Sequence, residues 1–172
     1  MRKVCWTLAA LAVAAPLAAQ EFHPPAVQRS KGGTGFGLLG FGVRGGIDFK
    51  RTQMVFGATL DAGNIGTDRF RIRPGGEIGV FNGPNTYTAS MEGVFRFTGD
   101  EQAVTPYLGG GLSLAGHDRC SADPECPDVW LNVVVGCELH YRSTFNWLLE
   151  YHAMDVFRHN RIYIGLTTRR GN

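Results

Sequence analysis

Four stretches of the sequence carry residue types at spacings that chemistry could use. GFGVRG (40–45) has the G-x-G-x-x-G spacing with which dinucleotide-binding enzymes bring backbone amides up to a pyrophosphate. GHDRCSADPEC places His117, Cys120 and Cys126 in one short segment, and these are donors for a soft metal ion or partners for a disulfide. EYHAMD sets Glu150 two positions from His152, and ELH sets Glu138 two positions from His140. Carboxylate–imidazole pairs are the raw material of acid–base catalysis. Each of these groups acts only if the surrounding elements position it.

The nucleotide fingerprint requires a buried strand before it, a helix after it and an acid some 20 positions on. Here the glycines run into GIDFK, and no helix-forming segment follows. Asp61 stands near the required distance but belongs to a second alternating stretch. The glycines therefore read as part of a strand, with Phe41 and Val43 on one face and Gly40, Gly42 and Arg44 on the other.

The first residues place the chain in a compartment. Arg2 and Lys3 precede the apolar run TLAALAVAAPLAA, which is too short to span a bilayer comfortably, and LAAQEF follows. This is the layout of a secretory signal peptide over residues 1–19, with cleavage expected after Ala19 and Cys5 discarded with it. Residues 20–34 read as a flexible periplasmic leader. Without Arg2 and Lys3, the remaining 15 basic residues (17 − 2) balance the 15 acidic ones. A neutral exported chain does not carry the basic surface of a nucleic-acid-binding protein, and it leaves the cytoplasm's nucleotide cofactors behind. No cofactor is expected. No other stretch has the ~18 continuous apolar residues of a membrane helix.

From Gly35 onward the sequence shows about eight segments of period-two alternation, near ten residues each, a length that suits tilted membrane-crossing strands. DVWLNVVVGCELHY (128–141) is the clearest of them. Val129, Leu131, Val133, Val135, Cys137, Leu139 and Tyr141 line one face; Trp130, Asn132, Val134, Gly136, Glu138 and His140 line the other. One segment fits less well: RFRIRPGGEIGVF (69–81) has Pro74 inside it, which requires either a strand that begins after Pro74 or a bulge there.

Across the segments, the polar faces collect Arg44, Asp48, Asp61, Arg71, Arg73, Glu77, Glu92, Arg96, Glu138, Glu150, Arg161 and Arg169. A soluble barrel would turn these charges to solvent, whereas a membrane barrel turns them into its lumen. Three features favour the second arrangement. Phe95, Phe97, Tyr141, Phe145 and Trp147 cluster on the apolar face around two consecutive turns, as an interfacial aromatic girdle would. The polar faces use arginine, whose planar fork suits enclosed carboxylate pairs, and almost no lysine. The strand count is even, which returns both termini to one side. The expected fold is all-β: an eight-stranded antiparallel up-and-down transmembrane β-barrel over residues 35–170, with a polar, side-chain-filled lumen.

The stretches TPYLGGGLSL (105–114), NWLLEY (146–151) and NRIYIGLTTR (160–169) occur in the order and spacing of the fifth, seventh and last strands of small outer-membrane β-barrels. The chain resembles the eight-stranded OmpA/OmpX-like superfamily over roughly residues 35–170. The resemblance implies an outer membrane of the Gram-negative type, contact with its lipids, insertion by the barrel assembly machinery and periplasmic termini. The exterior loops would fall near residues 50–52, 82–86, 116–128 and 155–161. The chain departs from the family at its end, where TTRRGN puts Thr168 in the place of the usual terminal aromatic residue.

In an oxidising compartment Cys120 and Cys126 favour a loop disulfide, while a His117–Cys120–Cys126 metal site lacks a fourth ligand at good spacing. His152 is followed by Ala153 and Met154, so the His-x-Ser pattern of the barrel lipid A deacylases is missing its nucleophile. The charged face is therefore read as a lumenal network of Arg44, Asp48, Glu77, Glu92, Arg96, Glu138, His140, Glu150, His152, Arg161 and Arg169. The expected role is structural or interactive rather than enzymatic, without a wide pore, with loop 116–128 as the contact surface for an extracellular or envelope partner. Two alternatives remain: a lipid-modifying enzyme with an unrecognised site, and a soluble secreted barrel that binds a ligand.

Overall fold

A computed structural model describes residues 34–99, 102–122, 126–140 and 144–168. The expected signal peptide and nearly all of the leader lie outside these residues. The described part is a closed eight-stranded barrel: β1 (Gly35–Asp48), β2 (Gln53–Asn64), β3 (Phe70–Val80), β4 (Thr86–Arg96), β5 (Val104–His117), β6 (Asp128–His140), β7 (Phe145–Met154) and β8 (His159–Thr168). Every strand pairs antiparallel with the next, and β8 closes on β1 from Gly42–Thr167 to Asp48–Arg161. Closure leaves no sheet edge along the paired length, which a strand surrounded by hydrocarbon requires.

The alternation read from the sequence becomes an inside-out protein. Ile47, Phe56, Leu112, Leu131, Leu149 and Ile164 are exposed on the outer wall, while Arg44, Glu77, Glu92, Glu150 and Arg161 are buried within it. A soluble barrel with its apolar faces turned inward would show the reverse. Apolar cores are correspondingly small: Val94, Tyr107, Val134 and Leu148 pack in one part of the lumen, and Ala115, Trp130 and Met154 in another.

Pro74 lies inside β3, which runs through it. Its pairing with β4 continues, Pro74 opposite Met91, whereas the pairing with β2 jumps from Thr59–Gly75 to Gly63–Ile72. The bulge expected at this position is therefore placed in β2, where an extra residue takes up the interval facing a nitrogen that cannot donate.

The lumen holds bulky side chains only because glycines face them. A Cβ on Gly136 would meet the Tyr107 ring, and one on Gly46 would meet Tyr163. Tyr107 and Tyr163 are both fully buried. Eight strands enclose a space just wide enough for side chains, so each large residue needs a small one across from it.

Candidate functional site

The lumen concentrates the charged residues. Among the described residues, five buried arginines (Arg44, Arg71, Arg73, Arg96, Arg161) share the interior with five buried carboxylates (Asp48, Glu77, Glu92, Glu138, Glu150). A buried ion is tolerable only when paired and hydrogen-bonded.

Two arginines and Glu150 form the centre. Arg44 reaches Glu150 at 2.5 Å, Glu77 at 2.6 Å and Glu92 at 3.8 Å. Arg73 reaches Glu150 at 2.5 Å and Glu92 at 3.1 Å. The Tyr107 hydroxyl donates to Glu150 at 2.6 Å and that of Tyr163 to Glu77 at 2.8 Å. His152 sits between Glu150, at 3.2 Å, and Glu92, at 3.6 Å, with its ring edge-on to Tyr163. Arg44 and Arg73 also lie over the Tyr163 and Tyr107 rings, at 4.7 and 5.3 Å.

Toward the hairpin end, Arg161 links Glu77 (2.7 Å) to Asp48 (2.9 Å). Asp48 also accepts from the backbone amides of Lys50 and Arg51, tying the β1–β2 turn to the lumen. His159 lies 3.3 Å from Asp48 and stacks on Trp130. Toward the termini, Arg96 donates to Glu138 at 2.9 Å, Asn146 donates to the same oxygen at 3.3 Å, and Arg71 pairs with Asp61 at 3.5 Å. A cavity of about 20 Å³, the size of one water, lies among Asp61, Arg71, Arg73, Arg96 and Glu138.

Of the residues singled out from sequence, Arg44, Asp48, Glu77, Glu92, Glu150, His152 and Arg161 are brought together in one connected cluster, and Arg96 with Glu138 forms a second pair. His140 is half-buried at the end of β6, in register with Asn146 and four residues along from Gly136, the partner of Glu150. Arg169 and Tyr141 lie outside the described residues. Phe95, Phe97, Phe145 and Trp147 are exposed at the termini end, where Phe95 and Phe97 meet edge-on at 5.6 Å.

The network also takes in Arg73, Tyr107, Tyr163 and His159, which the sequence did not single out for it. Arg73 was already among the polar-face charges, and Tyr163 shares the face of Arg161; the parity of Tyr107 along β5 was the available signal.

Among the described residues, His152 meets Glu92, Glu150, Arg44 and Tyr163, and no aliphatic hydroxyl or thiol stands among these partners. In the β5–β6 loop, donor atoms of His117, Cys120 and Cys126 lie within 4.8 Å of one another. The two sulfurs are joined in a disulfide, which leaves no thiolate to hold a metal. Cys137 is a free, half-exposed cysteine on the outer face of β6.

No protein-family model matches the chain, and no curated protein matches it in sequence. Among solved structures, the N-terminal β-barrel domain of Pseudomonas aeruginosa OprF is similar at 12% identity and a TM-score of 0.60, over 75% of this chain and 94% of that one. Neisserial surface protein A is similar at 14% identity and a TM-score of 0.53, over 76% and 93%. A de novo designed transmembrane β-barrel is similar at 12% identity and a TM-score of 0.56, over 80% and 96%. The likeness is one of fold, and it agrees with the exposed apolar wall and charged lumen. In fold, the chain is a closed, antiparallel eight-stranded β-barrel, similar to these small transmembrane barrels.

Proposed function

We infer that this barrel is an outer-membrane protein whose lumen is a structural plug and whose contacts with other molecules are made by its exterior loops. The observation that carries the reading is the Arg44–Glu150–Arg73 centre, fully buried and joined through Glu77 to Arg161 and Asp48. Ion pairs at these distances block the lumen and brace opposite walls, and a solute path would have to break several of them at once. On this reading residues 1–19 direct export, the start of β1 and the end of β8 face the periplasm, and the assembly machinery inserts the barrel. The disulfide-closed β5–β6 loop is the longest exterior segment and the natural surface for an envelope or extracellular partner.

The test has two arms. Cells are fractionated, and the purified protein is run on a detergent gel with and without heating. A folded membrane barrel fractionates with the outer membrane and migrates faster unheated. A soluble periplasmic protein with no heat-dependent mobility would sink the reading. In planar bilayers the folded protein is expected to show no large, stable conductance, and a porin-like channel would overturn the plug.

A further inference from the structure

At the hairpin end, four large apolar side chains stand in solvent within short loops: Phe49 (55% exposed), Phe81 (79%), Val156 (75%) and Phe157 (62%). Phe81, Val156 and Phe157, together with Asp155, have left-handed backbone, at φ values of 79°, 52°, 65° and 49°. Such φ values are strained for bulky and β-branched residues. The chain thus adopts costly turns that leave these side chains uncovered.

The three loops that carry them are joined to one another. Phe49 donates its amide to the Asn160 carbonyl at 3.0 Å, and Lys50 Nζ lies 3.4 Å from His159 Nε2, which locks the β1–β2 turn to the β7–β8 turn. Asn82 Nδ2 donates to the Arg51 carbonyl at 2.9 Å, and Gln53 Nε2 donates to the Asn82 and Pro84 carbonyls, which locks the β1–β2 turn to the β3–β4 turn. The result is a continuous arc on one side of the mouth.

The same arc holds the basic residues. Lys50 is the sole lysine between Gly35 and the end of the chain, and Arg51 and Arg158 accompany it. Arg158 is exposed and lies 3.8 Å from Asp155. Arg51 borders an open groove of about 340 Å³ that is also lined by Gln53, Asn82, Pro84 and His117. In the next hairpin, Asp118 accepts from the Asn85 amide of the β3–β4 turn.

We propose that the arc formed by Phe49, Lys50, Arg51, Phe81, Phe157 and Arg158 is a docking site for the phosphorylated headgroup of a membrane lipid in the leaflet around the hairpin end. Lysine and arginine at a membrane surface attract lipid phosphates, and the phenylalanines sit at the boundary between headgroups and acyl chains. The groove beside Arg51 admits the headgroup. The proposal rests on the transmembrane reading above.

The experiment uses the full mature chain, refolded and placed in phosphatidylcholine vesicles. The vesicles contain either a diphosphorylated, acylated glucosamine disaccharide or its dephosphorylated counterpart. The barrel is extracted in mild detergent and the lipid retained per barrel is measured by mass spectrometry. The wild type is expected to keep the phosphorylated lipid in preference to the other. Reversing two surface charges in Lys50→Glu/Arg51→Glu should lower retention about tenfold. Val156→Ser/Phe157→Ser should lower it as well, while Arg69→Glu, in the β2–β3 turn at the opposite end, should not.

Equal retention of the two lipids, unchanged retention in Lys50→Glu/Arg51→Glu, an equal loss in Arg69→Glu, or displacement of the lipid by millimolar inorganic phosphate would each overturn the proposal. Every protein is first run heated and unheated on a detergent gel. Absence of a heat-dependent shift in the wild type would reject the barrel reading itself, whereas a folded barrel that keeps no phosphorylated lipid rejects only the docking site. A variant that does not fold is replaced by Lys50→Gln/Arg51→Gln, for which a loss of preference supports the site and a wild-type preference rejects it.

Discussion

Arg44 Nη1 lies 2.5 Å from Glu150 Oε2, joining β1 to β7 across the lumen although 106 residues separate them in sequence. Glu150 also accepts from Arg73 and from the Tyr107 hydroxyl, so one carboxylate ties together β1, β3, β5 and β7. Glu150→Ala would leave two buried guanidinium groups and a phenol short of an acceptor. Removing one partner of a buried pair typically costs about 3–5 kcal/mol. The urea midpoint in detergent micelles or vesicles should fall accordingly, and Glu150→Gln should lose less because it keeps hydrogen-bonding capacity. An unchanged midpoint for Glu150→Ala would show that the centre does not brace the wall.

Arg96 and Glu138 allow a cleaner separation of pairing from packing. Their 2.9 Å bond lies outside the central cluster, and Asn146 is a third member. Either single truncation, Arg96→Ala or Glu138→Ala, should destabilise the barrel, because each removes one charged member of a buried pair. The double change Arg96→Met/Glu138→Leu should cost much less than the sum of the two, since an apolar pair of similar volume often replaces a buried ion pair at little loss. A double-mutant cycle in urea reads the coupling directly. Additive losses would mean that the two side chains do not depend on each other.

The wall of this barrel was legible in the sequence and the connectivity of its lumen was not. Parity along a strand is a local property, so the inward placing of Glu138, Glu150 and Arg161 follows from alternation alone. Which arginine meets which carboxylate depends on register between distant strands. Arg44 selects Glu150 and Glu77 because β1 closes on β8 at Gly42–Thr167 and on β2 at Gly40–Asp61, and no single segment encodes that geometry. Pro74 shows the same limit. The residue announces an irregularity in β3, but the extra residue sits in β2. The parity of Tyr163 put it on the lumenal face, but its bond to Glu77, like that of Tyr107 to Glu150, depends on register between strands. The left-handed residues Phe81 and Asp155–Phe157 are not themselves glycines, so their types do not announce that backbone, although Gly83 marks the first of these turns.

Gly136 and Tyr107 test the filling of the lumen. A Cβ on Gly136 would run into the phenol ring and hydroxyl of Tyr107, which is itself bonded to Glu150. Gly136→Val should therefore lower stability by about 1–3 kcal/mol, the usual cost of overpacking. Tyr107→Ala in the same chain should restore the space while removing the Glu150 hydrogen bond, so the double variant should be more stable than the sum of the single losses predicts. Thermal unfolding followed by circular dichroism in detergent measures both effects. Strict additivity would mean that the two residues do not compete for the same volume.

The Cys120–Cys126 bond closes a six-residue separation in the β5–β6 loop. A loop this short contributes roughly 2 kcal/mol at most by restricting the unfolded chain. The barrel pairings Thr86–His117 and Ala115–Asp128 flank the loop without depending on it. Cys120→Ser/Cys126→Ser should keep the heat-dependent gel mobility of the folded barrel. Limited proteolysis should then cut between residues 118 and 127 faster than in the wild type. Loss of the folded form in this variant would show that the loop is required for the barrel to close.

Leu149 separates the transmembrane reading from every soluble one. It lies in the middle of β7, exposed on the outer wall and paired in register with Cys137 on β6 and Ile164 on β8. In a soluble protein an exposed leucine can be replaced by arginine at almost no cost. In a lipid-facing wall, arginine near the bilayer midplane costs about 2–4 kcal/mol, falling toward zero at the interfaces. Leu149→Arg should therefore lower the stability of the vesicle-inserted barrel by that amount, whereas Phe49→Arg at the hairpin end should change it little. The two free energies come from urea titrations of protein folded into vesicles of one defined lipid. Equal and negligible costs at the two positions would mean that the apolar wall does not face hydrocarbon.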